Sequence, residues 1–168
     1  MLFVTNAPPN PYTRQAQHYQ RQQIETASPE QILILLYEGA IKFLMLARQA
    51  YENPEKRNIQ AYHNNLIRAQ AIIMEFMNSL DMEIGGEVAK NLYALYEYLH
   101  YRLVQANIKK DVTMIDEVLN HLRQLKVTWE EAIRIAAREK SATGQRQGHQ
   151  QDQFIDGDEV TSRQSRHA

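Results

Sequence analysis

The chain has 168 residues, 19 basic against 20 acidic side chains for a net charge of −1, and no cysteine. That length suits one domain with a proper core, and the absence of thiols excludes disulfides and cysteine-based metal or catalytic sites. The near-balanced, interspersed charge offers no field to gather nucleic acid or an anionic membrane.

The opening stretch, MLFVTNAPPNP, has three prolines and no basic flank. It is read as a flexible lead-in over residues 1–10, neither signal peptide nor membrane span, and cytoplasm is the default compartment. Residues 11–25 are polar, with Tyr12, Ala16, Tyr19 and Ile24 roughly aligned on one helical face. Such a helix is marginal alone and needs a surface to lie on, and tyrosines suit an apolar groove with a wet edge. Two readings stand: a fixed first helix, or a detachable latch carried by Tyr12, Tyr19 and Ile24.

The stretch from Ser28 to Tyr51, SPEQILILLYEGAIKFLMLARQAY, opens like a helix. Ser28 can cap the first free amides, Pro29 has no amide to leave unpaired, and Gln31 completes a capping box. Leu33, Leu36, Ala40, Phe43, Ala47 and Ala50 draw one packing seam. Ile34, Tyr37, Ile41 and Leu44 repeat the spacing one step round, and Ile32, Leu35 and Leu46 fill the remaining side. The helix is therefore apolar most of the way round, so it is central to its fold or keeps a face for a partner. Fully burying the four side chains of the second row is worth roughly 6–12 kcal/mol. Gly39, mid-helix, costs about 1 kcal/mol of helix propensity and is read either as admitting a neighbouring backbone or as a tolerated surface glycine.

Asn53 and Pro54 give a stop and a restart. Ile59, Tyr62, Leu66, Ala69, Ile73, Phe76 and Leu80 then keep a three-four rhythm until Gly85 and Gly86 permit a reversal. In the next helix Val88, Leu92, Leu95 and Leu99 are in register, and Tyr93, Tyr96, Tyr98 and Tyr101 are spread round the cylinder, some of them at groove edges. Asp111 caps a last helix with Ile115, Val118, Leu122, Leu125, Trp129, Ala132 and Ala136 in phase, ending near Arg138. Residues 141–168, rich in Gln, Ser, Asp and Gly, are read as a disordered tail. The expected fold is all-α: an antiparallel four-helix bundle over residues 11–140 with a short extra N-terminal helix or segment.

Glu97-x-x-His100 resembles half of a di-iron ligand set, but only one copy is present, and Glu117 and His121 are four apart rather than three. His63 lacks the surroundings of a phosphorelay histidine. Arg102, Lys109 and Lys110 form the nearest approach to a basic cluster and read as a solvated helix end. No serine or threonine has an evident base partner, so no catalytic, cofactor or metal residues are assigned and an enzyme is not expected.

Several short runs nonetheless fall in a recognisable order. Tyr19-Gln20, Thr26-Ala27-Ser28-Pro29 and Leu36-Tyr37-Glu38-Gly39-Ala40-Ile41-Lys42-Phe43-Leu44 are followed by Leu66-Ile67-Arg68-Ala69-Gln70 and Gly85-Gly86-Glu87. Asn91-Leu92, Leu95-Tyr96-Glu97-Tyr98, Arg102-Leu103, Ala106-Asn107, Asp116-Glu117-Val118 and Thr128-Trp129-Glu130-Glu131-Ala132 complete the series. Together these resemble the flagellin-specific secretion chaperones, the FliS family, over residues 10 to 138. The chain departs from that pattern in a longer spacer between Asn10-Pro11-Tyr12 and Tyr19, in Lys126 where arginine is common, and in the tail. The resemblance implies an export chaperone that holds the disordered C-terminal part of flagellin, prevents premature polymerisation and presents it to a flagellar type III export gate component. On that reading Ile34, Tyr37, Ile41, Leu44, Tyr93 and Tyr96 contact the client, and the protein is a monomer or weak dimer without cofactor. The rival reading is a homodimeric or metal-containing, ferritin-like bundle that closes its extra apolar face on itself.

Overall fold

The computed structural model describes residues 21, 22 and 26–155, with side chains to residue 143. The lead-in and the segment carrying Tyr12, Tyr19 and Ile24 lie outside the described residues. Four α-helices follow one another: α1 (Pro29–Glu52), α2 (Ile59–Ser79), α3 (Met82–Lys109) and α4 (Val112–Ile155), with a single 3-10 turn at Pro54–Lys56.

The helix ends are set by side chains that satisfy free backbone groups. Ser28 and Gln31 form the reciprocal capping box at α1, Asn58 accepts from the Ala61 amide at α2, and Asp81 accepts from the Glu83 and Ile84 amides at α3. Asp111 accepts from both the amide and the hydroxyl of Thr113 at α4, and these bonds hold its carboxyl below the usual range.

The described residues up to Lys126 form one compact unit, within which the helix order can be read from specific contacts. Tyr37 stacks on Phe76 and Tyr51 meets Tyr62, so α1 and α2 run antiparallel. The Tyr62 hydroxyl donates to the Ala106 carbonyl and Asn107 meets His63, while Phe76 stacks on Tyr96, which reverses the chain again from α2 to α3. Arg102 bonds Glu117 across α3 and α4, and α4 returns beside α1 through Arg48–Asp116 and Glu38–Lys126. Each neighbouring pair is antiparallel, as in an up-down-up-down bundle.

The core is Tyr37, Ala40, Leu44 and Ala47 from α1, Tyr62, Leu66, Ala69, Ile73 and Phe76 from α2, and Ala89, Tyr96, Leu99, Leu103 and Ala106 from α3. Met114, Ile115, Val118, Leu119 and Leu122 complete it from α4. On α1 this line runs between the two expected rows, taking alternate members of each. On α3 Leu99 is buried and Leu92 and Leu95 are half-buried, while the expectation for Val88 is corrected: in the first turn after Gly86, whose φ of 50° and ψ of −130° interrupt the helix, Val88 is exposed and Ala89 is buried. Of the two readings of Gly39, close approach by a backbone is corrected. A Cβ there would meet the Ile72 Cδ1 at 3.4 Å, an ordinary contact with a side-chain tip and not with a backbone.

The described residues from Val127 onward form the second unit. Here α4 continues to Ile155, well beyond Arg138 and through the first half of the expected disordered tail. Residues 131–143 lack proline and are rich in good helix formers, and the Ser141 and Thr143 hydroxyls bond back to the Ala137 and Glu139 carbonyls. Residues 156–168 lie outside the described residues.

The two glycines predict opposite outcomes. Gly39→Ala gains about 1 kcal/mol of helix propensity at an uncrowded site, so the melting temperature should rise by about 3–5 °C. Gly86→Ala forces an L side chain into the left-handed region and should lower stability by about 1–3 kcal/mol; thermal melts of both variants check the pair. Burial, helped by the nearby Tyr51 and Asp111, pushes the Tyr62 phenol up to about 12. A raised pKa means that stability is fully present below the phenol's unfolded value of about 10 and is lost as pH rises towards 12. Tyr62→Phe should therefore cost about 1 kcal/mol at neutral pH through the lost bond to Ala106, and should flatten the alkaline fall in urea midpoint between those values.

Candidate interaction surface

The four seams between neighbouring helices are not alike. The two that involve α4 are fastened by charge. On α1 the row Ile34, Glu38, Ile41, Met45 and Arg48 follows the three-four spacing of one helix face. Glu38 lies 3.0 Å from the Lys126 Nζ, and the Arg48 Nε lies 3.0 Å from Asp116. The Arg48 Nε makes no hydrogen bond, so its N–H does not lie along the line to Asp116 and that contact is Coulombic. Ile34 and Ile41 are half-buried on this row, Ile41 lying between the two ion pairs.

Across α3 and α4, Glu117 accepts from the Tyr98 hydroxyl and from Arg102. The Tyr98 bond, then the Arg102 guanidinium, hold the Glu117 carboxyl below its ordinary range. Arg102 is thus committed within the bundle and does not join Lys109 in a basic patch. Lys110 sits over the Tyr62 ring at 5.0 Å.

The seams on either side of α2 carry exposed apolar side chains, the one beside α1 mostly apolar and the one beside α3 mixed with polar groups. Along α1, the row Ile32, Leu35, Gly39, Lys42 and Leu46 borders α2, where Gly39 meets Ile72 and Arg68 lies over the Phe43 ring at 5.5 Å. Ile32 and Leu35 are each 38% exposed and Leu46 is 39% exposed. Lys42 is the single charge in that row. On the other side of α2, His63, Ile67, Gln70, Met74 and Met77 confront the α3 row of Tyr93, Glu97, His100, Val104 and Asn107, pinned where Asn107 meets His63 at 2.8 Å. Ile67 is 46%, Met74 50% and Tyr93 38% exposed. These strips have the composition of surfaces that bind amphipathic segments.

The expected contact set therefore divides. Tyr93 is at a groove edge, as expected. Ile34 and Ile41 are on the outer side of the core but beneath ion pairs. Tyr37, Leu44 and Tyr96 are corrected: all three are buried, with the Tyr37 and Tyr96 hydroxyls bonded to each other at 2.5 Å, and no docked chain reaches them while the bundle is closed. Phenol hydroxyls that pair with each other can both go inside, which the apolar spacing alone does not reveal. The outward row Ile32, Leu35 and Leu46 is legible in the sequence as surplus apolar surface, but its phase against the core is not.

The Glu97 and His100 pair falls on the α2/α3 seam, with Glu97 exposed and His100 half-buried, not in the bundle interior where a di-iron set would stand. Among the described residues, no group of three or more His, Cys, Asp or Glu side chains could hold a metal ion. No described helix is long and apolar enough to cross a membrane.

Comparison with known proteins agrees with this architecture. The family model described as flagellar protein FliS matches residues 12–136. The flagellar secretion chaperone FliS of Bacillus subtilis is 37% identical over 135 residues, covering 80% of this chain and 95% of that protein. The flagellar secretion chaperone FliSB of Pseudomonas aeruginosa is 38% identical over 111 residues, covering 64% of this chain and 83% of its own. A crystal structure of a flagellar chaperone from bacteria superposes with a TM-score of 0.58 at 20% identity, covering 74% of this chain and 98% of that one, which supports the fold. With an all-helical bundle, a family match across most of its length and relatives named as chaperones, this chain belongs to the FliS family of flagellar secretion chaperones.

Proposed function

We propose that this protein binds the disordered C-terminal region of flagellin in the cytoplasm, keeps it from polymerising, and assists its delivery to the flagellar type III export apparatus. The observation that carries this reading is the run of exposed apolar side chains along both seams flanking α2, in a chain of the secretion-chaperone family. A filament subunit that assembles through amphipathic terminal helices loses its polymerisation surface when those helices are covered. The contacts assigned to the client are Ile32, Leu35 and Leu46 on one side of α2 and Ile67, Met74 and Tyr93 on the other. The action is non-covalent throughout and uses no cofactor.

The segment of Tyr12, Tyr19 and Ile24 is assigned the role of a latch that the client displaces. The support is its sequence, a weak polar helix with two tyrosines, adjoining a domain with uncovered apolar strips. Deleting residues 1–24 should then raise client affinity or on-rate, and a loss of binding would make the segment a client contact instead.

The decisive measurement is calorimetric titration of a flagellin C-terminal peptide into the protein. Leu35→Asp and Met74→Asp place a charge on an exposed seam, so circular dichroism and melting temperature should stay near wild type while affinity falls by about tenfold or more. Ile41→Asp, beneath the ion pairs, should instead lower stability. Unchanged affinity in both seam variants, or a folded Ile41→Asp protein that alone has lost binding, would move the client to the α1/α4 seam.

A further inference from the structure

The turn from α2 into α3 displays apolar side chains that neither the core nor the seams use. Ile84 is 88% exposed, more than any other large apolar side chain described, and Val88 is 68% exposed. Val88 is seven residues before Leu95 and lies on the opposite flank of α3 from Tyr93, so this is a separate feature from the α2/α3 seam. The exposure is built in. The Asp81 carboxylate fixes the Glu83 and Ile84 amides at 2.9 Å each, and Gly86 takes a backbone conformation that L residues rarely adopt. A Cβ on Gly85 would fall 2.6 Å from the Ala89 Cβ, so both glycines are needed to shape this knuckle.

The surrounding charge limits what can cover it. Asp81, Glu83 and Glu87 flank Ile84 and Val88 along the chain, and the nearby Lys90 is held 2.8 Å from Glu87. Glu83 has no ion-pair partner among the described residues. A second copy would set these carboxylates against their own kind, and an anionic lipid surface would repel them in the same way. An isoleucine flanked by carboxylates complements an apolar surface edged by cations. We infer that this knuckle docks a basic amphipathic helix, with an apolar stripe bordered by Lys or Arg, at a site separate from the client seams.

The test uses the full chain labelled on isoleucine and valine methyls, titrated with a synthetic helical peptide whose leucine stripe is edged by lysines and with its glutamate-edged twin. The lysine-edged peptide should shift the Ile84 and Val88 methyls, and its affinity should fall severalfold at high salt. The double substitution Ile84→Ser and Val88→Ser should weaken it by about tenfold. Glu83→Lys with Glu87→Lys should reverse the preference between the twins. Flagellin-peptide affinity, read on the same variants, should not change, so this proposal and the client reading fail separately. Equal shifts from both twins, shifts confined to the seam methyls, shifts that grow with protein concentration alone, or equal shifts from phosphatidylglycerol vesicles would each overturn it.

Discussion

The aromatic stack of Tyr37, Phe76 and Tyr96 is the constraint on which the bundle depends. Phe76 lies between the two tyrosines at centroid distances of 4.4 and 5.3 Å, and the tyrosine hydroxyls meet at 2.5 Å. Three helices are thereby registered at one level. A buried hydroxyl without a partner would cost about 1–3 kcal/mol, so sliding any one helix loses both the ring contacts and the satisfied polar pair. Tyr62 repeats the arrangement at the other end of α2, its hydroxyl donating to the Ala106 carbonyl at 2.7 Å. Aromatic body and polar tip together specify register more sharply than leucines would.

With α1, α2 and α3 registered from inside, the outer seams are free to differ. The α4 seams carry Glu38–Lys126, Arg48–Asp116 and Arg102–Glu117. Partly exposed pairs of this kind contribute little net stability. They do oppose insertion of an apolar segment there, because breaking them leaves charges against its surface. The α2 seams lack that obstacle along most of their length. On the proposed reading, charge marks the seams that would exclude a guest polypeptide, and exposed apolar side chains mark those that would admit one.

How much of this the sequence discloses depends on the physical scale of each feature. Helix starts are local, and Ser28, Gln31 and Asp111 announce them through backbone amides within three residues. Family membership is spread over many short runs and is equally legible. The phase of α1 is not, because a helix apolar on every side gives no polar reference from which to orient it; Tyr37 and Leu44 were as suited to a groove as to a core. Val88 keeps the spacing of Leu92, Leu95 and Leu99 but stands in the first turn after the break at Gly86 and is exposed, because periodicity gives the phase of a residue and not whether a neighbouring helix extends far enough to cover it. The length of α4 beyond Arg138 turns on modest propensities and hydroxyl back-bonds, too weak to stand out against a polar composition.

The partial exposure of the α2 seams also limits how tightly they can hold. Full burial of a large apolar side chain is worth about 1.5–3 kcal/mol, but Ile32, Leu35, Leu46, Ile67, Met74 and Tyr93 are already half covered or more, with 38–50% of each left exposed. A guest that covers all six gains on the order of 4–8 kcal/mol from this side of the interface. Ordering a disordered guest returns about 2–5 kcal/mol or more of the gross gain, so the guest's own apolar face must supply much of the remaining affinity. Such a surface selects for an amphipathic segment over a polar one. On the proposed function it would also release that segment to a better partner, as a carrier that surrenders its cargo requires.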